Sequence, residues 1–164
     1  DKDIIAALYE ASAAGVQIDL IVRGICCLKV GIPGISENIR VRSIVGQFLE
    51  HSRIFYFENG GKPEIYCGSA DWMPRNLERR VEILFPIEED ALKEKAYHIL
   101  DGELRDTLKA SVMLADGTYE KVDRRGKEAY SSQDAFALEA KEEAKKSKEV
   151  LNERVFVPAQ HIDE

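Results

Sequence analysis

Residues 48–76, FLEHSRIFYFENGGKPEIYCGSADWMPRN, decide how the fold is read. RIFYF and PEIYCGS read as strands, and the Asn59-Gly60 pair after the first is the chemistry of a tight turn, so the stretch is a β-hairpin. His51 and Arg53 stand two apart at the start of the first strand, which lets both side chains point to one side. The second strand delivers Gly68-Ser69-Ala70-Asp71. A histidine beside a fixed cation can donate to a phosphoryl oxygen, pass a proton to a leaving group, or attack phosphorus. Small residues let a ligand approach the backbone, and the Ser69 hydroxyl and main-chain N–H groups can hold phosphate oxygens. Alone, the histidine reads as a structural hydrogen-bonder and GSAD as a plain turn; together they point to phosphate.

Upstream, DKDIIAALYEASAAG places Ile4, Ile5, Leu8 and Ala11 on one helical face and stops at Gly15. Val16 to Val22 is a nearly continuous apolar run suited to a covered strand, with Arg23 just beyond its end, where ligands collect in α/β sheets. The run punctuated by Gly31, Pro33 and Gly34 reads as a loop. A short strand near Ile39 to Arg42 follows, then a short helix carrying Ile44, Val45, Phe48 and Leu49.

Downstream of the hairpin, DWMPRN reads as irregular and RRVEILFPI as a strand closed by Pro86. That strand puts Arg80 and Glu82 on one face, either as a phosphate contact with an orienting carboxylate or as a structural ion pair. EEDALKEKAYHILDGELRDTL keeps the apolar spacing of an amphipathic helix. A peripheral hairpin turns at Asp116-Gly117, and SSQDAFALEAKEEAKKSKEVLNE is a charged helix leading to a tail. The order is α/β, with a mixed sheet of about five to seven strands flanked by helices. Residues 1–118 form the domain, and 119–164 the charged C-terminal helix and tail.

Bulk numbers narrow the partners. At 164 residues, with 45% hydrophobic and 32% charged, the chain is an ordinary globular domain large enough for a core. It has no apolar run of bilayer length and no signal peptide, which places it in the cytoplasm, with peripheral membrane association left open. It begins without Met, directly in a helical pattern, and reads as a domain taken from a longer chain. Cys26, Cys27 and Cys67 lack zinc-ligand spacing and read as reduced thiols; neither His98 nor His161 has metal-binding neighbours, so no protein-only metal site is expected. Between Arg23 and Arg80 lie nine basic and six acidic residues, so that stretch carries +3 and the rest −10 of the net −7. Seven of the nine are arginines, whose planar fork suits phosphate. A local basic site on an acidic chain favours a small or linear polyanion over nucleic acid. Arg40 and Arg42 share a strand face and are held only as lining candidates; Trp72 and Tyr66 read as core.

His-x-Arg followed by a hairpin and GSAD resembles the H-x-K…GSxN half-motif of the phospholipase D superfamily, with Arg53 in place of Lys and Asp71 in place of Asn. A longer resemblance, through IDLIVRGICCL, PGISENIRVRSIVGQFLEHSRIFYFENGG and SADWMPRNLERRVEILFPI, is to the last catalytic domain of the polyphosphate kinase family, and covers about residues 1 to 115. That resemblance implies a phospholipase D-like fold and a multidomain, oligomeric enzyme moving the terminal phosphate of ATP reversibly onto inorganic polyphosphate. It also implies a phosphohistidine in the related domain upstream. By the same resemblance, Arg23 and His51 line the nucleotide and phosphate site, with His51 as a supporting acid/base rather than the nucleophile. Arg53, Ser69, Arg80 and Glu82 complete the expected ATP/phosphate set. Magnesium, also implied, would be held mainly by the upstream domain and by substrate phosphates. Two other readings stay open: a phosphodiesterase that pairs two chains, and a non-catalytic polyanion-binding module.

Overall fold

The computed structural model describes residues 1–153. Within them, residues 1–132 form one compact unit, and the residues from Gln133 on belong to a second, made of the helix α4 (Ser132–Glu153) after its first residue. His161 lies outside the described residues.

Helix α1 (Lys2–Ala13) begins where the Asp1 carboxylate accepts the Asp3 and Ile4 amides, at 2.9 and 3.2 Å. It ends before Gly15, whose φ of 93° only glycine adopts without strain. Ile5, Leu8 and Tyr9 face a core of Leu28, Val30, Ile39, Val41 and Met113. Strand β1 (Ile18–Ile21) runs parallel to β2 (Ile39–Ile44), and β6 (Ala110–Met113) and β7 (Tyr119–Lys121) follow antiparallel, giving the order β1-β2-β6-β7. The hairpin strands β3 (Ile54–Phe57) and β4 (Glu64–Gly68) pair with β5 (Leu84–Pro86) in a separate antiparallel sheet. Helix α3 (Asp90–Arg105) lies against β3 and β4, with Tyr97 and Tyr56 rings 5.2 Å apart.

The chain is mixed α/β, as expected, but its strands are split between two sheets rather than joined in one. Nor is the hairpin at Asp116-Gly117 peripheral: β6 pairs with β2, and Ala110 is fully buried. Residue 118, the expected limit of the first segment, lies in the turn between β6 and β7.

Two local expectations fail for physical reasons. The helix expected from Ile44 does not form, because β2 continues through Ile44, which is buried opposite Ala110. What remains before β3 is too short to repay helix nucleation, and Gly46 weakens it further. Residues 45–53 therefore run without regular structure, with Val45, Phe48 and Leu49 exposed. Conversely, the supposedly irregular DWMPRN contains the start of helix α2 (Pro74–Arg79). Pro74 occupies its first turn, where a missing N–H costs nothing and a fixed φ helps.

Candidate functional site

At the hairpin's open end, the Arg23 side chain from beyond β1 of the first sheet reaches Asp71 beyond β4 of the second. Arg23 follows the C-terminal end of β1; Arg53 precedes β3; Ser69 and Asp71 follow β4. The backbone fixes this placement, since the Gly68 amide bonds to the Arg53 carbonyl (3.0 Å) and the Ser69 amide to the Ile83 carbonyl (3.0 Å). Gly68 suits this crossing, since a Cβ there would meet the Ile83 carbonyl oxygen at 3.1 Å and Leu84 at 3.2 Å. Trp72 stacks on Phe55, centroids 4.9 Å apart, and seats the turn on the sheet.

Asp71 is the centre of the arrangement. Arg23 Nη2 donates to both its oxygens, at 2.9 and 3.0 Å, and Arg53 Nε donates to Oδ1 at 3.1 Å. Arg53 Nη1 also reaches the His51 carbonyl at 2.9 Å, tying the backbone of that histidine to the group. Burial acts to raise the Asp71 carboxyl, but the Arg53 hydrogen bond and the two guanidinium charges outweigh it, holding Asp71 below the ordinary carboxylate value. Two cations therefore share one anion, leaving a surplus positive charge, half-buried and reachable from solvent. The departures from the H-x-K…GSxN pattern are thus one feature, because Arg53 and Asp71 bind each other.

The remaining expected site residues divide. The Ser69 hydroxyl donates to Glu82 and accepts the Ile83 amide at 3.0 Å. β5 begins only at Leu84, so Arg80 and Glu82, expected on one face of that strand, precede it. Glu82 also accepts from Asn76 Nδ2 at 3.1 Å, and these Ser69 and Asn76 bonds hold its carboxyl below the ordinary range. Arg80 is exposed and is joined to Glu82 by charge alone. The His51 side chain is exposed. Arg40 is spent on Asp19, at 2.7 and 2.9 Å, and Arg42 on the carbonyls that end α3, so neither belongs to the Asp71 group.

Sequence reasoning passed over Asp71 as a mere departure from a motif, and Asn76 because its helix was unrecognised. An acid placed directly after a small-residue turn, with arginines at two strand ends nearby, was the available signal for Asp71. Among the described residues no three His, Cys, Asp or Glu side chains gather as a metal shell. Asp71 and Glu82, the nearest carboxylates, are already taken by arginines and by Ser69 and Asn76, so these residues do not fit a protein-held magnesium.

Comparison with known proteins adds the family. The sequence matches the family described as polyphosphate kinase C-terminal domain 2 over residues 1–133. It is 53% identical over 145 residues to a polyphosphate kinase of Lactiplantibacillus plantarum, covering 88% of this chain and 20% of that protein. It is 57% identical over 136 residues to polyphosphate kinase 1 of Chlorobaculum tepidum, covering 83% and 19%. The crystal structure of polyphosphate kinase from Porphyromonas gingivalis matches with a TM-score of 0.81 at 44% identity, covering 88% of this chain and 22% of that one. The chain spans about a fifth of the length of the curated relatives it matches.

Proposed function

The chain belongs to the polyphosphate kinase family through its C-terminal domain 2, and on that premise we propose that it supplies the phosphate cradle of an enzyme that transfers the terminal phosphate of ATP reversibly to inorganic polyphosphate. One observation carries the reading: Arg23 and Arg53, delivered by different sheets, converge on the single carboxylate of Asp71. Phosphoryl transfer asks a protein chiefly for positioning and for fixed cations facing the equatorial oxygens. A guanidinium pair already held by Asp71 is preorganised, so little reorganisation is needed when phosphate arrives.

In this reading Arg23 and Arg53 take phosphate oxygens of ATP or polyphosphate, and exposed Arg80 adds charge at the rim. Ser69 and Glu82 hold the turn and its approach to the substrate. His51 serves as a supporting acid/base, next to Arg53, while the histidine that carries the phosphoryl group lies in a related domain of the longer protein. The fold is phospholipase D-like, which is consistent with the His-x-Arg and GSAD elements meeting at one sheet end. Magnesium would be held mainly by the substrate phosphates and the upstream domain. The full enzyme is a cytoplasmic homo-oligomer. No helix among the described residues is long and apolar enough to cross a membrane, which is consistent with that placement.

The test is ATP formation from ADP and long-chain polyphosphate by the full-length protein. Arg23→Ala is expected to lower kcat/KM by roughly 10- to 100-fold, as loss of a charge-assisted phosphate contact should, and to weaken salt-sensitive polyphosphate binding. Unchanged kcat/KM together with unchanged binding would remove the cradle from the mechanism.

A further inference from the structure

Asn76, in the first turn of α2, is 3% exposed and only half satisfied. Its Nδ2 donates to Glu82 Oε1 at 3.1 Å. Its Oδ1, shielded from solvent, meets no donor among the described residues. Turning the amide round would not help, because Oδ1 would then face the Glu82 carboxylate, acceptor against acceptor. A buried polar group with one unmet atom costs stability, and a leucine of the same shape would not. Fold alone therefore gives little reason for an asparagine here. What Asn76 does supply is the closing link in a ring of hydrogen bonds around the turn that carries Asp71. The Met73 amide bonds to the Asp71 carbonyl at 2.7 Å, and the Asn76 amide to the Met73 carbonyl at 2.9 Å. The Asn76 side chain then holds Glu82 Oε1, while the hydroxyl of Ser69, two residues before Asp71, holds Oε2.

Both Glu82 oxygens are thus engaged by neutral donors, although the turn they close also presents the cations of the cradle. Arg53 is joined through its carbonyl, at 3.0 Å, to the amide of Gly68, the neighbour of Ser69, and Arg80 is two residues before Glu82. The Ser69 and Asn76 hydrogen bonds do most to lower the Glu82 carboxyl, and the charges of Arg80 and Arg53 add to them. A carboxylate this close to guanidiniums is their natural partner. Pairing with them would spend the positive charge that Asp71 leaves over. We propose that Asn76 is a positioning residue for the cradle: by holding Glu82 against Ser69, it keeps that carboxylate from competing with phosphate for the arginines. The same arrangement commits the Ser69 proton to Glu82, so Ser69 holds the turn and leaves the phosphate to the guanidiniums.

This role rests on the phosphate-cradle reading, and one binding experiment separates the two. Long-chain inorganic polyphosphate is titrated into the full-length protein at several salt concentrations, with Arg23→Ala reporting on the cradle itself. Asn76→Leu is expected to weaken binding roughly 3- to 10-fold and to flatten its salt dependence by about one charge, because the freed carboxylate offsets one guanidinium. Made in the Glu82→Gln background, the same change should alter binding less than about twofold, since no rival anion is left. Mere loosening of α2 or of the turn would weaken binding in both backgrounds and leave the salt slope alone. Asn76→Leu should fold, because the unmet acceptor goes with the amide; Asn76→Ala takes its place in the cycle if circular dichroism shows otherwise. Binding by Asn76→Leu that matches the wild type, or weakening that persists with Glu82→Gln, overturns the positioning role. Either result beside an Arg23→Ala protein that binds weakly leaves the cradle standing. The expected cycle, without ATP formation from ADP and polyphosphate by the wild type, would keep the positioning role and sink the phosphoryl-transfer reading.

Discussion

Asp71 and Glu103, two carboxyl groups of one chain, solve opposite problems. At Asp71, two guanidiniums outnumber the acid, so the carboxyl is ionised and held low. At Glu103, a second carboxylate and a buried setting outnumber any available cation, so the carboxyl is protonated and held high. The residue types differ by one methylene; the number of partners and their sign decides the rest. Their linkage to stability therefore has opposite signs. Asp71 contributes stability that is full above the ordinary carboxylate range and is lost as pH falls through its lowered folded value. For Glu103 the folded state keeps a proton that the unfolded chain releases, so stability falls as pH rises from the ordinary glutamate value of 4.5 towards about 8.

The sharpest way to break this comparison is to remove Asp71. Asp71→Ala leaves two guanidiniums facing each other at 16–23% exposure without their counter-charge, and should cost roughly 3 kcal/mol, the low end for breaking a buried pair. Chemical denaturation should show it as a fall in midpoint at neutral pH and as loss of the acid limb in a stability-versus-pH scan. Asp71→Asn combined with Arg53→Lys should recover part of the loss relative to the sum of the single changes, because the two residues bind each other. Strict additivity would mean that Arg53 and Asp71 are independent and that the two departures from the motif are coincidental.

Most of the frame was legible because its periodicities are clean. The strand alternation gave the β3–β4 hairpin, although its connection is a longer loop with a 3-10 turn at Asn59–Gly61 rather than a tight Asn59-Gly60 turn, and the i, i+3, i+4 spacing gave α1 and α3. Arg23 and Arg53 were legible as strand-end cations. Other features depend on partners far away in the chain. Nothing near Ile44 says that its strand continues, since the reason is Ala110 across the sheet. Nothing near Glu82 says that Ser69, far back in the chain, will claim the Ile83 amide. Glu103 was hidden for the same reason: a glutamate late in an amphipathic helix reads as solvated until its burial is seen.

A smaller effect is expected from the geometry that presents Asp71. Gly68→Ala would place a methyl 3.1 Å from the Ile83 carbonyl oxygen and 3.2 Å from Leu84. One partner is backbone and cannot swing aside, so β4 and β5 must separate by a few tenths of an ångström, at a cost of about 1–2 kcal/mol. The Arg23–Asp71 contact should loosen with the turn, so polyphosphate binding should weaken along with the denaturation midpoint. The Glu103 titration, at the end of α3, should not move. A shift in both clusters would show that they form one mechanical unit rather than two.

The smallest effect asks whether contact geometry or setting gives the Asp71 cluster its worth. Arg40 binds Asp19 through two nitrogens at 2.7 and 2.9 Å, distances as good as those from Arg23 to Asp71. Its side chain is nevertheless 59% exposed, and it stands alone on its acid. Water screens the pair and solvates either partner once the other is gone, so Arg40→Ala should cost less than about 0.5 kcal/mol. Asp19 would drift back towards the ordinary carboxylate value, because the Arg40 hydrogen bond is the main force lowering it. If Arg40→Ala instead costs as much as Asp71→Ala, short contacts alone carry the energy, and the contrast between the clusters loses its physical basis. If the cost is small, two arginine–aspartate pairs with contacts of similar length differ because one is half-buried and shared by two cations. That setting leaves one positive charge uncompensated and preorganised for a phosphate to occupy.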